Sequence, residues 1–208
     1  MKTIFWDFNG TILDDLDLCL TILNDMLKEE GHQPITKERY LDIFTFPIIE
    51  YYRLAGFDFK HRSYETLANI FITKYQKASL NLKLHEDTVK IVTYFKQQGY
   101  RQVVLSASQV NNLVEQLKHY QIFDLFDDVL GISNVYAASK TQIGLEYIQK
   151  HQIDLENSVM IGDTLHDRDV AGALNCGIII YTKGHQAKHR FNGVKMVDRL
   201  IDLKKEIR

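Results

Sequence analysis

Apolar positions along the chain follow two rhythms. Short runs rich in β-branched and aromatic residues recur at positions 3–8, 102–105, 128–132, 158–161 and 177–181. Between the later runs lie stretches with helical spacing, at 113–120 and 141–151. Apolar runs alternating with helices predict βαβ units, because a strand buried on both faces reads as a continuous apolar run. The fold class expected is α/β, a Rossmann-like parallel sheet with helices on both faces.

The segment between the first two runs breaks that alternation. Leu16, Leu20, Leu23 and Leu27 recur at intervals of four, three and four, with Cys19, Ile22 and Met26 beside them. They make one broad apolar helix face, with Asp14 or Asp15 as N-cap and Gly31 as stop. Further helical patterns cover 37–44, 48–55 and 63–78, and 85–98 reads as a crossover helix ended by Gly99. Two units are therefore expected: a core of residues 1–14 and 85–208, and an inserted all-helical cap of residues 15–84. A cap inserted there sits over the carboxyl ends of the strands, where open α/β sheets bind ligands.

Composition narrows the classes. The 208 residues are 45% hydrophobic and 25% charged, enough apolar surface to offset the ordering entropy, which excludes a disordered chain. Twenty-five Lys and Arg against 27 Asp and Glu leave a net charge of −2, so no basic field invites nucleic acid. The longest apolar runs, such as Gly177-Ile178-Ile179-Ile180-Tyr181, fall far short of a membrane span. Asp7 interrupts the apolar N-terminus too early for a signal peptide. Cys19 and Cys176 have no metal-ligand spacing around them, and a reduced, cytoplasmic setting is expected.

Candidate chemistry concentrates where the strands end. The first run closes in Asp7-Phe8-Asn9-Gly10-Thr11, a carboxylate followed by residues that can aim backbone N–H groups at an anion; the same residues also make ordinary turns. The fourth run closes in Gly162-Asp163-Thr164, with Asp167 and Asp169 beyond it. Carboxylates on adjacent strand ends suit Mg²⁺, a hard ion with oxygen ligands, although Asp is also favoured at a helix N-terminus. Ser106-Ala107-Ser108 brings a hydroxyl and N–H donors to the second strand end, or simply a cap. Lys140, in Ser139-Lys140-Thr141, opens a helix against its dipole, which points to a separate task for the cation.

Together these segments resemble the haloacid dehalogenase-like superfamily of phosphohydrolases. Asp7-Phe8-Asn9-Gly10-Thr11 is similar to its first motif, Ser106 to its second, Lys140 to its third, and Gly162-Asp163-Thr164 with Asp167 to its fourth. The helical insertion resembles the cap of the phosphoglycolate phosphatase-like branch. The resemblance implies a Mg²⁺-dependent phosphatase acting on a small phosphorylated metabolite, with no nucleic-acid or membrane partner, as a monomer or homodimer. It implies Asp7, Asn9 and Lys140 as catalytic residues, with an aspartyl-phosphate formed on Asp7. Mg²⁺ would be held by the Asp7 and Asp163 carboxylates and the Asn9 backbone carbonyl. Gly10, Thr11, Ser106, the Ala107 N–H and Lys140 would contact substrate, and Asp167 would orient Lys140 or a metal-bound water. Attack on a carbon–halogen bond is the weaker reading, because the acidic residues and Gly10-Thr11 favour phosphate.

One position departs from the pattern. Family phosphatases carry an acid/base Asp two residues after the nucleophile, where this chain has Asn9. An amide cannot exchange a proton near neutral pH, and general acid–base catalysis contributes about 10²–10⁴-fold. His166 and His185, which titrate near neutrality, are the candidate relays. The alternatives are a non-catalytic phosphate-binding or regulatory module, or a slow phosphotransferase.

Overall fold

A computed structural model describes residues 2–132 and 139–207. The first strand, β1 (Thr3–Trp6), is buried along its whole length. After it come β2 (Leu13–Asp14) and four helices, α1 (Leu16–Glu29), α2 (Lys37–Ile43), α3 (Ile48–Ala55) and α4 (Tyr64–Ser79). β3 (Lys83–Leu84) then pairs antiparallel with β2, so the chain leaves and re-enters the sheet region through one two-stranded ribbon. From there strands and helices alternate as far as β7: α5 (Thr88–Gln97), β4 (Arg101–Gln109), α6 (Val110–His119), β5 (Asp128–Ile132), α7 (Lys140–His151), β6 (Ser158–Gly162), α8 (Leu165–Leu174) and β7 (Gly177–Tyr181), with β8 (Met196–Val197) and α9 (Leu203–Glu206) last.

The main sheet has the order β5-β4-β1-β6-β7-β8 and every pairing is parallel. This is the Rossmann-like α/β class that the apolar runs predict. Side chains of β1 alternate between its two faces. Ile4 and Trp6 pack with Ile91, Val92 and Phe95 of α5 and Leu113 and Leu117 of α6. Phe5 joins Tyr147 of α7 and Val170, Ala171 and Leu174 of α8 on the other face. Each such side chain contributes about 1.5–3 kcal/mol when fully buried, so the central strand is the most firmly held part of the sheet. β2, β3 and β8 escape the sequence pattern because two residues cannot display a period.

A third apolar cluster draws only on the inserted helices. Leu16, Cys19, Ile22, Leu23, Met26 and Leu27 of α1 meet Tyr40 and Ile43 of α2, Tyr51, Tyr52 and Ala55 of α3, and Leu67 of α4. The α1 face is the one its leucine spacing predicts. α4 starts at Ser63, whose hydroxyl accepts from the Thr66 N–H and caps the helix.

Register sets the rest. Trp6 pairs with Val104 of β4 and with Ile161 of β6, so Asp7, Ser106 and Asp163 emerge together at one edge of the sheet. Among the described residues no helix is long and apolar enough to cross a membrane. Cys19 is buried, Cys176 half-buried, and neither forms a disulfide.

Candidate active site

At the carboxyl end of β1, the Lys140 ammonium is clamped between two carboxylates. Its Nζ lies 2.5 Å from Asp7 Oδ1 and 2.6 Å from Asp167 Oδ1. Lys140 is only 3% exposed although it is the first residue of α7. Asp167 is fixed from the other side: its Oδ2 accepts from the Asp163 N–H, the Thr164 N–H and the Thr164 hydroxyl, completing a capping box at the start of α8. It thereby orients Lys140 toward Asp7. Oxygens of Asp7, Asp163 and Asp167 all lie within 4.8 Å of one another.

Two buried carboxylates thus share one ammonium with a third beside them, and the imbalance shows in their proton affinities. Burial raises Asp7 well above the usual carboxylate range; Lys140 opposes that shift, and Asp167 and Asp163 reinforce it. Burial likewise raises Asp163 to about 6, against a lowering by the nearby His185. Asp167 stays below its ordinary value, because Lys140 and Thr164 outweigh its burial. Burial would depress Lys140, but Asp167 and Asp7 keep it charged. A pocket of hard oxygen donors with surplus negative charge fits a divalent cation such as Mg²⁺. Asp7 and Asp163 are the side chains left to hold one, since Asp167 is committed to Lys140 and to its helix.

Asn9 belongs to a second network beside the first. Its amide Nδ2 donates to Asp15 Oδ2 at 2.9 Å and to the Tyr75 hydroxyl at 2.6 Å, while its Oδ1 accepts from Ser108 at 2.8 Å. Asp15 stands at the N-cap of α1 yet makes no capping bond with its side chain. It accepts instead from the Gly10 N–H at 2.8 Å and from Tyr75 at 2.6 Å, and it pairs with His185 Nε2 at 3.0 Å. His185 Nδ1 meets the Tyr40 hydroxyl at 2.8 Å. Burial disfavours the imidazolium, but Asp15 and then Asp163 and Asp7 carry His185 up to about 9. The Asp15 carboxyl correspondingly sits low, His185 outweighing the effect of burial. Cys19 also approaches Asp15, 3.9 Å away, with its thiol pushed up by burial and by Asp15.

Backbone packs closely against Asp163. A Cβ at either Gly10 or Gly184 would collide with its carboxylate, and Gly10 also holds a left-handed φ of 74°. The next residue, His185, donates its N–H to Asp163 Oδ2 at 2.7 Å, and Thr11 donates its hydroxyl to Oδ1 at 3.0 Å. Both oxygens of the carboxylate are therefore aimed. Asp7, Asn9, Asp15, Ser106, Ala107, Lys140, Asp163, Asp167 and His185 line one cavity of about 920 Å³ that runs up between the sheet edge and the inserted helices.

The haloacid dehalogenase-like hydrolase family model matches residues 4–181. The chain belongs to the haloacid dehalogenase-like hydrolase family. Solved structures share the fold at low identity. A haloacid dehalogenase-like hydrolase from Streptococcus pneumoniae superposes with a TM-score of 0.83 at 16% identity, covering 100% of this chain and 99% of that one. A predicted phosphatase from Clostridium acetobutylicum gives 0.81 at 19%, covering 99% and 97%. A predicted phosphoglycolate phosphatase from Haemophilus somnus gives 0.78 at 16%, covering 100% and 98%. No curated protein matches the sequence.

In this haloacid dehalogenase-like hydrolase the residues expected from sequence gather at the one sheet edge, but with a division of labour. Asp7, Asn9, Ser106, Ala107, Lys140 and Asp163 face the cavity. Gly10 and Thr11 are not among its lining residues; they brace Asp15 and Asp163 from behind. His185 is buried rather than a loop histidine in solvent, and His166 lines the cavity stacked 4.4 Å from Phe46. Sequence reasoning missed Asp15 and Tyr75 as site residues. The Asp14-Asp15 doublet, directly after the Asn9 departure, was the available signal, and it reads equally well as a helix cap.

Proposed function

We propose that the protein is a Mg²⁺-dependent phosphatase that hydrolyses a small phosphorylated metabolite through an aspartyl-phosphate on Asp7. The observation that carries this reading is the buried Lys140 ammonium bridging Asp7 and Asp167 on the floor of the cavity. A buried cation held beside a free-ended carboxylate is arranged to receive a phosphoryl dianion next to a nucleophile. Asp7 attacks phosphorus, its oxygen forming the new P–O bond as the ester P–O bond breaks and the alkoxide leaves. Water then cleaves the acyl phosphate and returns Asp7 with inorganic phosphate. Ser106, the Ala107 N–H and Lys140 hold the phosphoryl oxygens, and Asp167 keeps Lys140 aimed. Mg²⁺, held by Asp7, Asp163 and the Asn9 carbonyl, would supply charge neutralisation between nucleophile and substrate.

Asn9 spends both amide N–H groups on Asp15 and Tyr75 and carries no exchangeable proton at neutral pH. The proton-exchanging groups next to it are Asp15 and, through Asp15, His185, and both line the cavity. We assign the leaving-group proton to the His185 imidazolium of that pair, passed through Asp15 and restored by the water that cleaves the acyl phosphate. The test is phosphate release from a generic phosphomonoester with and without Mg²⁺, for the native chain and Asp7→Asn. Turnover that needs both the metal and Asp7 is expected; turnover indifferent to either overturns the reading.

A further inference from the structure

Beyond the catalytic floor, the cavity walls are apolar and largely aromatic. On α4, Tyr64, Phe71, Ile72 and Tyr75 fall on one helical face and all line the cavity. The Phe71 and Tyr75 rings lie nearly parallel, 6.1 Å apart and 11° from coplanar. Tyr64, Phe71 and Tyr75 are half-buried against the cluster of the inserted helices and Ile72 is 49% exposed, so the face keeps apolar surface toward the cavity. Opposite, Phe46 stacks on His166 at 4.4 Å and 25°. The remaining wall, on α6, offers neutral amides, among them Asn112 and Gln116, and one acidic residue, Glu115.

The charges are as telling as the rings. Among the described lining residues Lys140 is the one Lys or Arg, and Asp7 and Asp167 already occupy it. His185 has both ring nitrogens engaged, by Asp15 and Tyr40. A second anionic group on the substrate would therefore meet no Lys or Arg among the described lining residues and would share the cavity with the Glu115 carboxylate.

We propose that the ester cleaved here carries an uncharged aromatic or heteroaromatic leaving group, seated between the α4 face and the Phe46–His166 pair, and no second anion. The proposal rests on the phosphatase reading above and names its substrate class. Flat rings bury large apolar area against such walls and gain from offset or edge contacts with them. A short anionic ester such as phosphoglycolate would leave the α4 face uncovered and its carboxylate unpaired.

The discriminating comparison uses primary alkyl esters of similar leaving-group chemistry. With Mg²⁺, kcat/KM for benzyl phosphate should exceed that for phosphoglycolate and for glycerol phosphate by about tenfold or more, the range expected from burying one phenyl ring. The matching phosphonates report binding without turnover: benzylphosphonate should bind about tenfold tighter than phosphonoacetate by titration calorimetry. Phe46→Ala and Ile72→Ser should each lower the benzyl preference, and a preference that neither change moves counts against the assigned walls. Equal or better use of phosphoglycolate, with equal or tighter binding of phosphonoacetate, overturns the substrate class and leaves the phosphatase reading standing. No turnover of any ester, with benzylphosphonate still preferred, removes the phosphatase reading and supports the aromatic subsite. Binding of neither phosphonate overturns the subsite.

Discussion

Replacing Lys140 by Met keeps a side chain of similar length but removes the one ammonium from a cluster of three buried carboxylates. Asp7 and Asp167 lie 2.5 and 2.6 Å from that ammonium, and all three groups are at most 8% exposed. Solvent cannot replace the lost partner at that depth. Breaking a buried ion pair from one side costs about 3–5 kcal/mol, because an uncompensated charge stays behind. For a domain of this size that corresponds to a fall in Tm of roughly 10 °C. The loss must depend on pH with a definite sign. Without the ammonium both carboxylates favour their protonated forms in the folded state, so the variant regains stability as pH falls, while unfolded carboxylates hold protons only below about pH 4. Urea denaturation of Lys140→Met and the native chain at pH 5 and pH 8 measures this directly. The gap between them should be larger at pH 8, and Asp167→Asn in the Lys140→Met background should close part of it. Phosphate release should fall about 10²–10³-fold, the cost of losing one preorganised charge from a transition-state site. A stability loss under about 1 kcal/mol, or one that is the same at both pH values, would refute the claim that Lys140 is a charged, desolvated member of the cluster.

Three further outcomes follow from the same geometry. Asn9→Asp, which restores an acid two residues after Asp7, should lower stability by about 1–3 kcal/mol, because the new carboxylate replaces an amide that donates to Asp15 at 2.9 Å; Asn9→Asp with Asp15→Asn should recover it, and chemical denaturation of both variants decides. Gly184→Ala adds a methyl group that collides with the buried Asp163 carboxylate at an ordinary backbone φ, so Mg²⁺ affinity by calorimetry should drop while the circular dichroism spectrum stays native, and unchanged affinity would contradict the packing. Asp163, raised to about 6, must lose a proton to ligate a metal, so Mg²⁺ should bind about tenfold more weakly at pH 5 than at pH 7.5. In the metal-free protein the stability tied to its protonation is present at low pH and lost as pH rises through about 6, so the Mg²⁺-induced rise in Tm should be the larger one at pH 7.5; equal rises at the two pH values would contradict that.

The sheet was legible because its physics is local. Buried parallel strands need continuous apolar runs, and the five runs read from sequence correspond to β1, β4, β5, β6 and β7. The end of each run marks where backbone and side chains leave the sheet, so the sequence alone puts Asp7, Ser106 and Asp163 at one edge. Lys140 was legible for a related reason, since a cation at a helix start is unfavourable unless something else holds it. Asp15 was not legible: a carboxylate just before an amphipathic helix is what a cap looks like, and only the tertiary fold brings Tyr75 and His185 to it from sixty and 170 positions away. His185 lies in the polar segment Lys183-Gly184-His185-Gln186, whose composition gives no hint that Gly184 and His185 are buried against Asp163 and Asp15.

Those long-range contacts also account for the residue that departs from the pattern. With Asp15 buried and ionised beside it, position 9 is best filled by a donor, and an amide supplies two N–H bonds, to Asp15 and to Tyr75. A carboxylate there would join Asp7, Asp15, Asp163 and Asp167, which already line the cavity with one ammonium and one imidazolium. Asn9 is therefore coupled to Asp15, and Asp15 to His185, through one hydrogen-bonded network that joins the end of β1 to the start of α1. Such an arrangement is costly for a structural core, where apolar replacements for buried charges are commonly neutral or stabilising. Two adjacent buried ionic networks, both opening into one cavity, are better explained by chemistry performed in that cavity than by the stability of the fold.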